Sequence, residues 1–229
     1  MKKVKVFIAM IAVALGGLII WSCTQDEMEN GQTTYRYSED EITTLHAMAE
    51  KYGVPEVVFP TESSNKLLAL KDMEDIFKTF GAIKYSLSMP LEHQDSTVTS
   101  ITYKTKKPLV PSLRKKRASG GESSSYSFTE LVSSYPATLT FKVSWNPNRD
   151  QNGNITSYSL FVSGSLELPM ALVSRGYFYQ NGTTSYSKNY DETLNLTYKC
   201  DLCHYDGYGQ TIKEPISFTH KINAPAKPN

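Results

Sequence analysis

Beyond Ala137 the chain settles into a period of two, and this limits the fold more than any other feature. Leu139, Phe141, Val143 and Trp145 alternate with Thr140, Lys142 and Ser144. Successive side chains on a strand point to opposite faces, so the pattern describes a strand with one apolar and one polar face. Ile155 to Val162 reads as its partner across a long turn containing Asn152-Gly153. Leu166 to Val173 is apolar enough for an interior strand, with Pro169 marking an edge or a bulge. Tyr177 to Tyr179 and Ser185 onward flank Asn181-Gly182, a hairpin signal. Leu194, Leu196 and Tyr198 alternate toward His204. Asp206-Gly207-Tyr208-Gly209 predicts the next turn, and Ile216, Phe218 and Ile222 close the sheet. Short strands with regular turns predict an antiparallel sandwich or open barrel.

The first part of the chain carries a helical period instead. Ser38-Glu39-Asp40-Glu41 is a capping box, followed at helical spacing by Ile42, Leu45, Met48, Ala49 and Tyr52, with Gly53 as the stop. A second helix runs through Leu67, Leu70, Met73, Ile76, Phe77 and Phe80. Asn65 or Ser64 would cap it and Gly81 would end it. Tyr85, Leu87 and Met89 then alternate as a strand, and Val98, Ile101 and Tyr103 less regularly. The expected fold class is therefore α+β. Two short N-terminal amphipathic helices precede a mainly antiparallel β-sandwich or open barrel.

Cys200-Asp201-Leu202-Cys203-His204 spells C-x-x-C-H, the pattern of covalent haem attachment. Its setting, a strand pattern before a glycine turn, opposes that chemistry. A zinc site wants four ligands, and no second C-x-x-C exists. Residues three apart on a strand lie about 10 Å apart, whereas a disulfide needs Cα atoms within ~4.4–6.8 Å. The alternation favours two strand cysteines on opposite faces, one of them buried. A disulfide, the second reading, would require a bend at Asp201-Leu202. No cofactor and no tightly held metal are expected.

Asn148, Asp150 and Asn152 occupy the first three ligand positions of an EF-hand-type loop, with Gly153 at the turn and Ile155 as the apolar anchor. Ser159 stands where the bidentate glutamate belongs. A plain hairpin turn is the better reading. Lys104, Lys106, Lys107, Arg114, Lys115, Lys116 and Arg117 form a basic stretch interrupted by Pro108 and Pro111. Lys106, Lys107 and Arg114 to Arg117 are the candidate anion contacts, for lipid phosphates or acidic glycans. The composition of residues 104–125 predicts a mobile loop. No H-E-x-x-H, G-x-S-x-G or phosphate loop occurs, and S-x-x-K recurs three times, as chance allows in a Ser- and Lys-rich chain.

The chain starts with Lys2, Lys3 and Lys5, then an apolar run from Val6 to Ile20, then Ile20-Trp21-Ser22-Cys23. The run is short for a membrane span. This start resembles a bacterial lipoprotein signal peptide with its lipobox, although Trp21 stands where a small residue is usual. The resemblance implies lipidation of Cys23. Asp26, Glu27 and Glu29 just behind it resemble the surface-export tag of Bacteroidetes lipoproteins. Together they imply an outer-membrane, cell-surface protein. Asp95-Ser96-Thr97 resembles the O-glycosylation signal of secreted Bacteroides proteins, with Ser96 as acceptor.

The expected organisation is a signal peptide over 1–22, a flexible tether over 23–37, a helical segment over 38–81 and a β-rich domain over 82–229. Three lysines leave with residues 1–22, so 24 basic residues become 21 against 23 acidic ones, a net charge of −2. That balance argues against nucleic acid as a partner. The 15 tyrosines suit strands and, where exposed, sugar or protein contacts. The chain thus resembles Bacteroidetes surface lipoproteins of unknown function, many of whose neighbours in kind serve glycan capture or fimbrial assembly. The resemblance therefore implies first a non-enzymatic binding or accessory module, with a glycan as ligand. The candidate contacts are Tyr177, Tyr179, Tyr186, Tyr190, Tyr205 and Tyr208. A structural or assembly lipoprotein with an envelope protein partner is the alternative, and a hydrolase comes third. The membrane is the other expected partner, through Cys23.

Overall fold

Ser38 starts the first helix through local hydrogen bonds. Its hydroxyl accepts the Glu41 amide at 3.3 Å, and the Glu41 carboxylate accepts the Ser38 amide at 2.9 Å. Helix α1 then runs over Glu39–Lys51, buries Leu45 and Ala49, and ends before Gly53 at φ 72°. The computed structural model describes residues 25–29, 32–60, 66–108 and 136–228, with side chains from residue 34 onward.

Helix α2 spans Leu70–Leu87 and corrects the expected stop at Gly81. Its N-cap is Ala69 and makes no side-chain bond, while Ser64 and Asn65 lie outside the described residues. Tyr85 and Leu87, expected in a strand, belong to its last turn. Packing explains the overrun. Thr79, Phe80, Gly81, Ala82 and Ile83 are all buried. Five consecutive helical residues sweep about 400°, so α2 is covered on every side there. Burial of that turn outweighs the ~1 kcal/mol that glycine costs inside a helix.

Strands β1 (Gln25–Glu29) and β2 (Gln32–Tyr35) form a two-stranded antiparallel sheet in the stretch expected to be a tether. Strands β3 (Leu91–Ser96), β4 (Ser100–Thr105), β5 (Thr138–Arg149) and β6 (Ile155–Glu167) form a four-stranded sheet in that order. Strands β7 (Tyr177–Lys188), β8 (Thr193–Tyr205) and β9 (Thr211–Asn223) form a three-stranded sheet. All pairings are antiparallel. The described chain is thus mostly antiparallel β in two principal sheets. Their inner faces share one core with α2: Leu139, Phe141 and Val143 from β5, Leu194, Leu196, Tyr198 and Leu202 from β8, and Phe77, Phe80 and Ile83 from α2.

The sheets come closest where β6 faces β7. A side chain at Gly164 would place its Cβ 2.8 Å from Thr184 Oγ1 and 3.0 Å from Tyr198 Cδ2. The Tyr186 hydroxyl donates to the Leu160 carbonyl at 3.2 Å.

Two further expectations are corrected here. Leu166 to Val173 is not one strand: β6 ends at Glu167, and Pro169 caps a one-turn helix α3, Met170–Val173. Pro169 cannot donate to a ladder, and a helix start needs no donor at its cap. Nor do Asn181 and Gly182 form a hairpin. They are a bulge inside β7, the two residues between Gln180↔Asp201 and Thr183↔Lys199, so they oppose Cys200 alone. Asn181 adopts the left-handed conformation at φ 57°, and its amide donates to Asp201 Oδ2 at 2.7 Å. A side chain at Gly182 would meet the Tyr198 hydroxyl at 2.6 Å. The Asn-Gly pair therefore satisfies a left-handed residue and a close approach, which a bulge needs as much as a turn does.

Candidate functional site

The β5–β6 hairpin outgrows its sheet. Strand β4 pairs with β5 only as far as Ser100↔Ser144, while β5 and β6 remain paired to Arg149↔Ile155. Residues 146–157 are all exposed, so this arm shows both faces to solvent. Its turn is held by Asp150, whose Oδ1 accepts the amides of Asn152 and Asn154, each at 2.9 Å. Gly153 supplies φ 85°. The Asn148 amide donates to Ser157 Oγ and Ser159 Oγ, each at 2.9 Å, in a cross-strand polar ladder. The sequence expectation of a hairpin turn here is the observed structure. The Asp150 carboxylate faces the turn's own amides, first of all Asn154, which hold it below its ordinary pKa. Among the described residues no three His, Cys, Asp or Glu side chains cluster as a metal site.

The six candidate tyrosines split into two groups. Tyr186 lies beside Leu160 at the base of the arm, and Tyr190 stands fully exposed in the following β7–β8 turn. Phe161, which the sequence did not single out, is also exposed, on the outer face opposite Ser144. Tyr177, Tyr205 and Tyr208 lie at the other end of the three-stranded sheet. Tyr177 is only 2% exposed and packs edge-on against His204 at 4.5 Å and Phe80 at 5.9 Å. Tyr179 lies between the groups, across from Leu202. The tyrosines therefore form no single row.

Strand β8 runs unbroken through Cys200, Asp201, Leu202 and Cys203, with regular pairing to β9. Cys200 and Cys203 are free thiols, and both are buried, one more than expected. Burial pushes the Cys200 thiol up to about 12 and the Cys203 thiol up to about 11. Thiols so held are poor nucleophiles. Burial also lowers the pKa of His204, whose ring bonds the Arg175 backbone. Its Nδ1 and the Oδ2 of Asp206 are buried without a hydrogen-bond partner.

Of the basic candidates, Lys106 and Lys107 are exposed just past β4, and the Lys106 amide donates to the Pro90 carbonyl at 2.9 Å. Arg114, Lys115, Lys116 and Arg117 lie outside the described residues, as does Cys23. Ser96 is exposed at the end of β3. No described helix is long and apolar enough to cross a membrane.

Three open clefts accompany these features. One of about 470 Å³ lies beside α1, between His46, Ile42 and the Val57–Pro60 segment. A second of about 470 Å³ is lined by Leu91, His93, Tyr103, Lys221 and Ile222. Among the described residues, neither has a carboxylate in its lining. The third, about 270 Å³, includes Glu56 and Asp201, with Asp201 already bonded by the Asn181 amide.

The length of the arm is the element that motif reading missed. Its signal is β5 and β6 at 12 and 13 residues, against the ~5–6 of an ordinary strand. Comparison with known protein families, characterised proteins and solved structures finds no match.

Proposed function

We infer that this protein is a lipid-anchored, cell-surface binding module, non-enzymatic, with a glycan as its ligand class and the β5–β6 arm as its contact surface. The anchor is Cys23 in the outer membrane. The framework is an open α+β sandwich with its two long helices, α1 and α2, ahead of the two principal sheets. The arm is the observation that carries the reading. It exposes Asn146, Asn148, Gln151, Asn152, Asn154, Thr156, Ser157 and Ser159, with aromatic Tyr186, Tyr190 and Phe161 at or near its base. Sugars present hydroxyls that bond amides and hydroxyls in both donor and acceptor roles, and C–H faces that stack on aromatic rings. Catalysis has less support. The most buried carboxylate, Glu214, is paired with Lys84, and the thiols are shielded.

The test is binding of the full-length protein to a panel of soluble polysaccharides by isothermal calorimetry. It is repeated with Asn148 to Ser157 replaced by a two-residue Asn-Gly turn. The shortened protein should keep its melting temperature and lose at least about tenfold in affinity, which is ~1.4 kcal/mol. Equal binding by both would remove the arm from the reading, and no binding to any polysaccharide would remove the ligand class.

One observation favours assembly as a second reading. Among the described residues, neither outer edge of the arm beyond Ser144 and Leu160 pairs with another strand, apart from the bond from the Trp145 amide to the Thr99 carbonyl. Exposed edges of this kind accept an added strand. Polymers formed by wild type and abolished by the same shortening would support that reading over the glycan.

A further inference from the structure

The end of the three-stranded sheet opposite the arm gathers exposed apolar side chains, cations and the entry of the chain. Met170 on α3 is 78% exposed and Val173 is 46% exposed. Helix α3 leads into Gly176, whose carbonyl accepts the Tyr205 amide at 2.9 Å, so Tyr205 and Tyr208 share this end. Arg175 is exposed beside them, its guanidinium 5.9 Å from the Tyr177 ring, and the Lys66 ammonium lies 6.0 Å from the Tyr208 ring. Methionine, valine and tyrosine beside lysine and arginine is the composition of a surface that meets lipid at the headgroup level.

The chain enters at the same end. The Tyr37 hydroxyl donates to the Leu68 carbonyl at 3.0 Å, two residues beyond Lys66. The β1–β2 pairing then limits the reach of what precedes it, because Gln25 sits opposite Tyr35. Facing residues in such a ladder lie ~4.5–5.5 Å apart, and each residue of chain reaches at most ~3.6 Å. Gln25 is therefore within about 13 Å of Tyr37, whereas the same twelve residues unfolded could extend about 43 Å. The arm points the other way, since β6 separates its turn from α3 by 13 residues, about 43 Å.

We propose that the Met170–Val173 end is a second membrane contact, seated on the lipid surface that holds the acyl chains of Cys23. The domain then rests on the bilayer instead of swinging above it, and the arm is held outward. This rests on the lipoprotein reading of residues 1–23. Lys66 and Arg175 meet anionic headgroups while Met170 and Val173 enter the interface.

The test uses the lipidated full-length protein in vesicles of three parts phosphatidylethanolamine to one part phosphatidylglycerol. A nitroxide is placed at Met170→Cys or, as control, at Val98→Cys, a position 90% exposed on the β3–β4 turn. The buried Cys200 and Cys203 are shielded from the label. The label at 170 should be open to oxygen and shielded from a water-soluble nickel chelate, and the label at 98 the reverse. Adding Val173→Asp should return the label at 170 to water. Two labels equally open to the chelate would overturn the proposal. Mass spectrometry of the Cys23 peptide separates the failures: an unlipidated cysteine sinks the lipoprotein reading, whereas a lipidated one with label 170 in water sinks only the seating.

Discussion

Lys84 of α2 and Glu214 of β9 meet at 2.5 Å across 130 residues of sequence, with the carboxylate fully buried and the lysine side chain 26% exposed. One Glu214 oxygen bonds the ammonium, and the other, Oε2, has no hydrogen-bond partner. The pair pins the enclosed helix to the last strand. Removing only the cation strands a buried charge, so Lys84→Met should destabilise the protein by ~3–5 kcal/mol. Replacing both, Lys84→Met with Glu214→Leu, should restore most of that. Urea unfolding at neutral pH measures each, and a double variant less stable than the single one would refute the account.

The same carboxyl gives stability a pH dependence. Burial raises the Glu214 pKa above 4.5, against the opposing pull of Lys84. The folded state then holds this proton more tightly than the unfolded one. The stability it contributes is full below about 4.5 and falls as pH rises through the folded value. Glu214→Gln should flatten this slope in melting temperatures taken across the acid range. An unchanged slope would mean that another group is responsible.

His220 should act with the opposite sign. Burial lowers its pKa below 6.5, and its Nε2 lies 3.1 Å from the Leu87 carbonyl. The unfolded chain takes up this proton first as pH falls, so the contribution is present above 6.5 and lost through the folded value below it. His220→Gln keeps a donor and cannot titrate. Wild type should lose stability relative to this variant on acidification, and parallel curves would exclude the effect.

Gly164 leaves no room for a methyl group. With Thr184 Oγ1 and Tyr198 Cδ2 within 3.0 Å of the added Cβ, Gly164→Ala forces the Thr184 side chain and the Tyr198 ring to shift between the sheets. The expected loss is ~1–3 kcal/mol. An alanine variant as stable as wild type would show that these side chains give way without penalty.

Cys200 and Cys203 should stay silent toward an aqueous disulfide reagent in the native protein and give two thiols on unfolding. Their buried positions and raised pKa values leave almost no thiolate at neutral pH. Rapid native reaction would place one of them at the surface, and absent thiols after unfolding would mean a bridge.

Much of this was legible in local chemistry. The capping box at Ser38 and Glu41 needs four residues and no tertiary partner, so α1 could be read directly. Strands β5, β8 and β9 declare themselves by alternation, because each has one face in the core. Errors arose where one residue type serves two geometries. Gly81 reads as a stop, yet in a helix covered on all sides it is a packing residue. Asn181-Gly182 reads as a turn but is a bulge fitted around Tyr198. At the candidate site, Tyr186 reaches the base of the arm and Tyr190 is exposed in the β7–β8 turn, whereas Tyr177 faces the core. Single residues could not reveal this, because exposure depends on which strand lies opposite. The Lys84–Glu214 pair spans 130 residues and leaves no local trace.

The enclosure of α2 also sets the order of events during synthesis. The helix is made before the sheets, but its cover includes Phe141 on β5 and the Glu214 and His220 side chains on β9. No partial chain that lacks Thr211–Asn223 can shut this core. Completion must therefore wait for β9 to emerge, as slow, long-range pairing requires. A core built this way stays open until β9 arrives, and that strand then locks α2 in place.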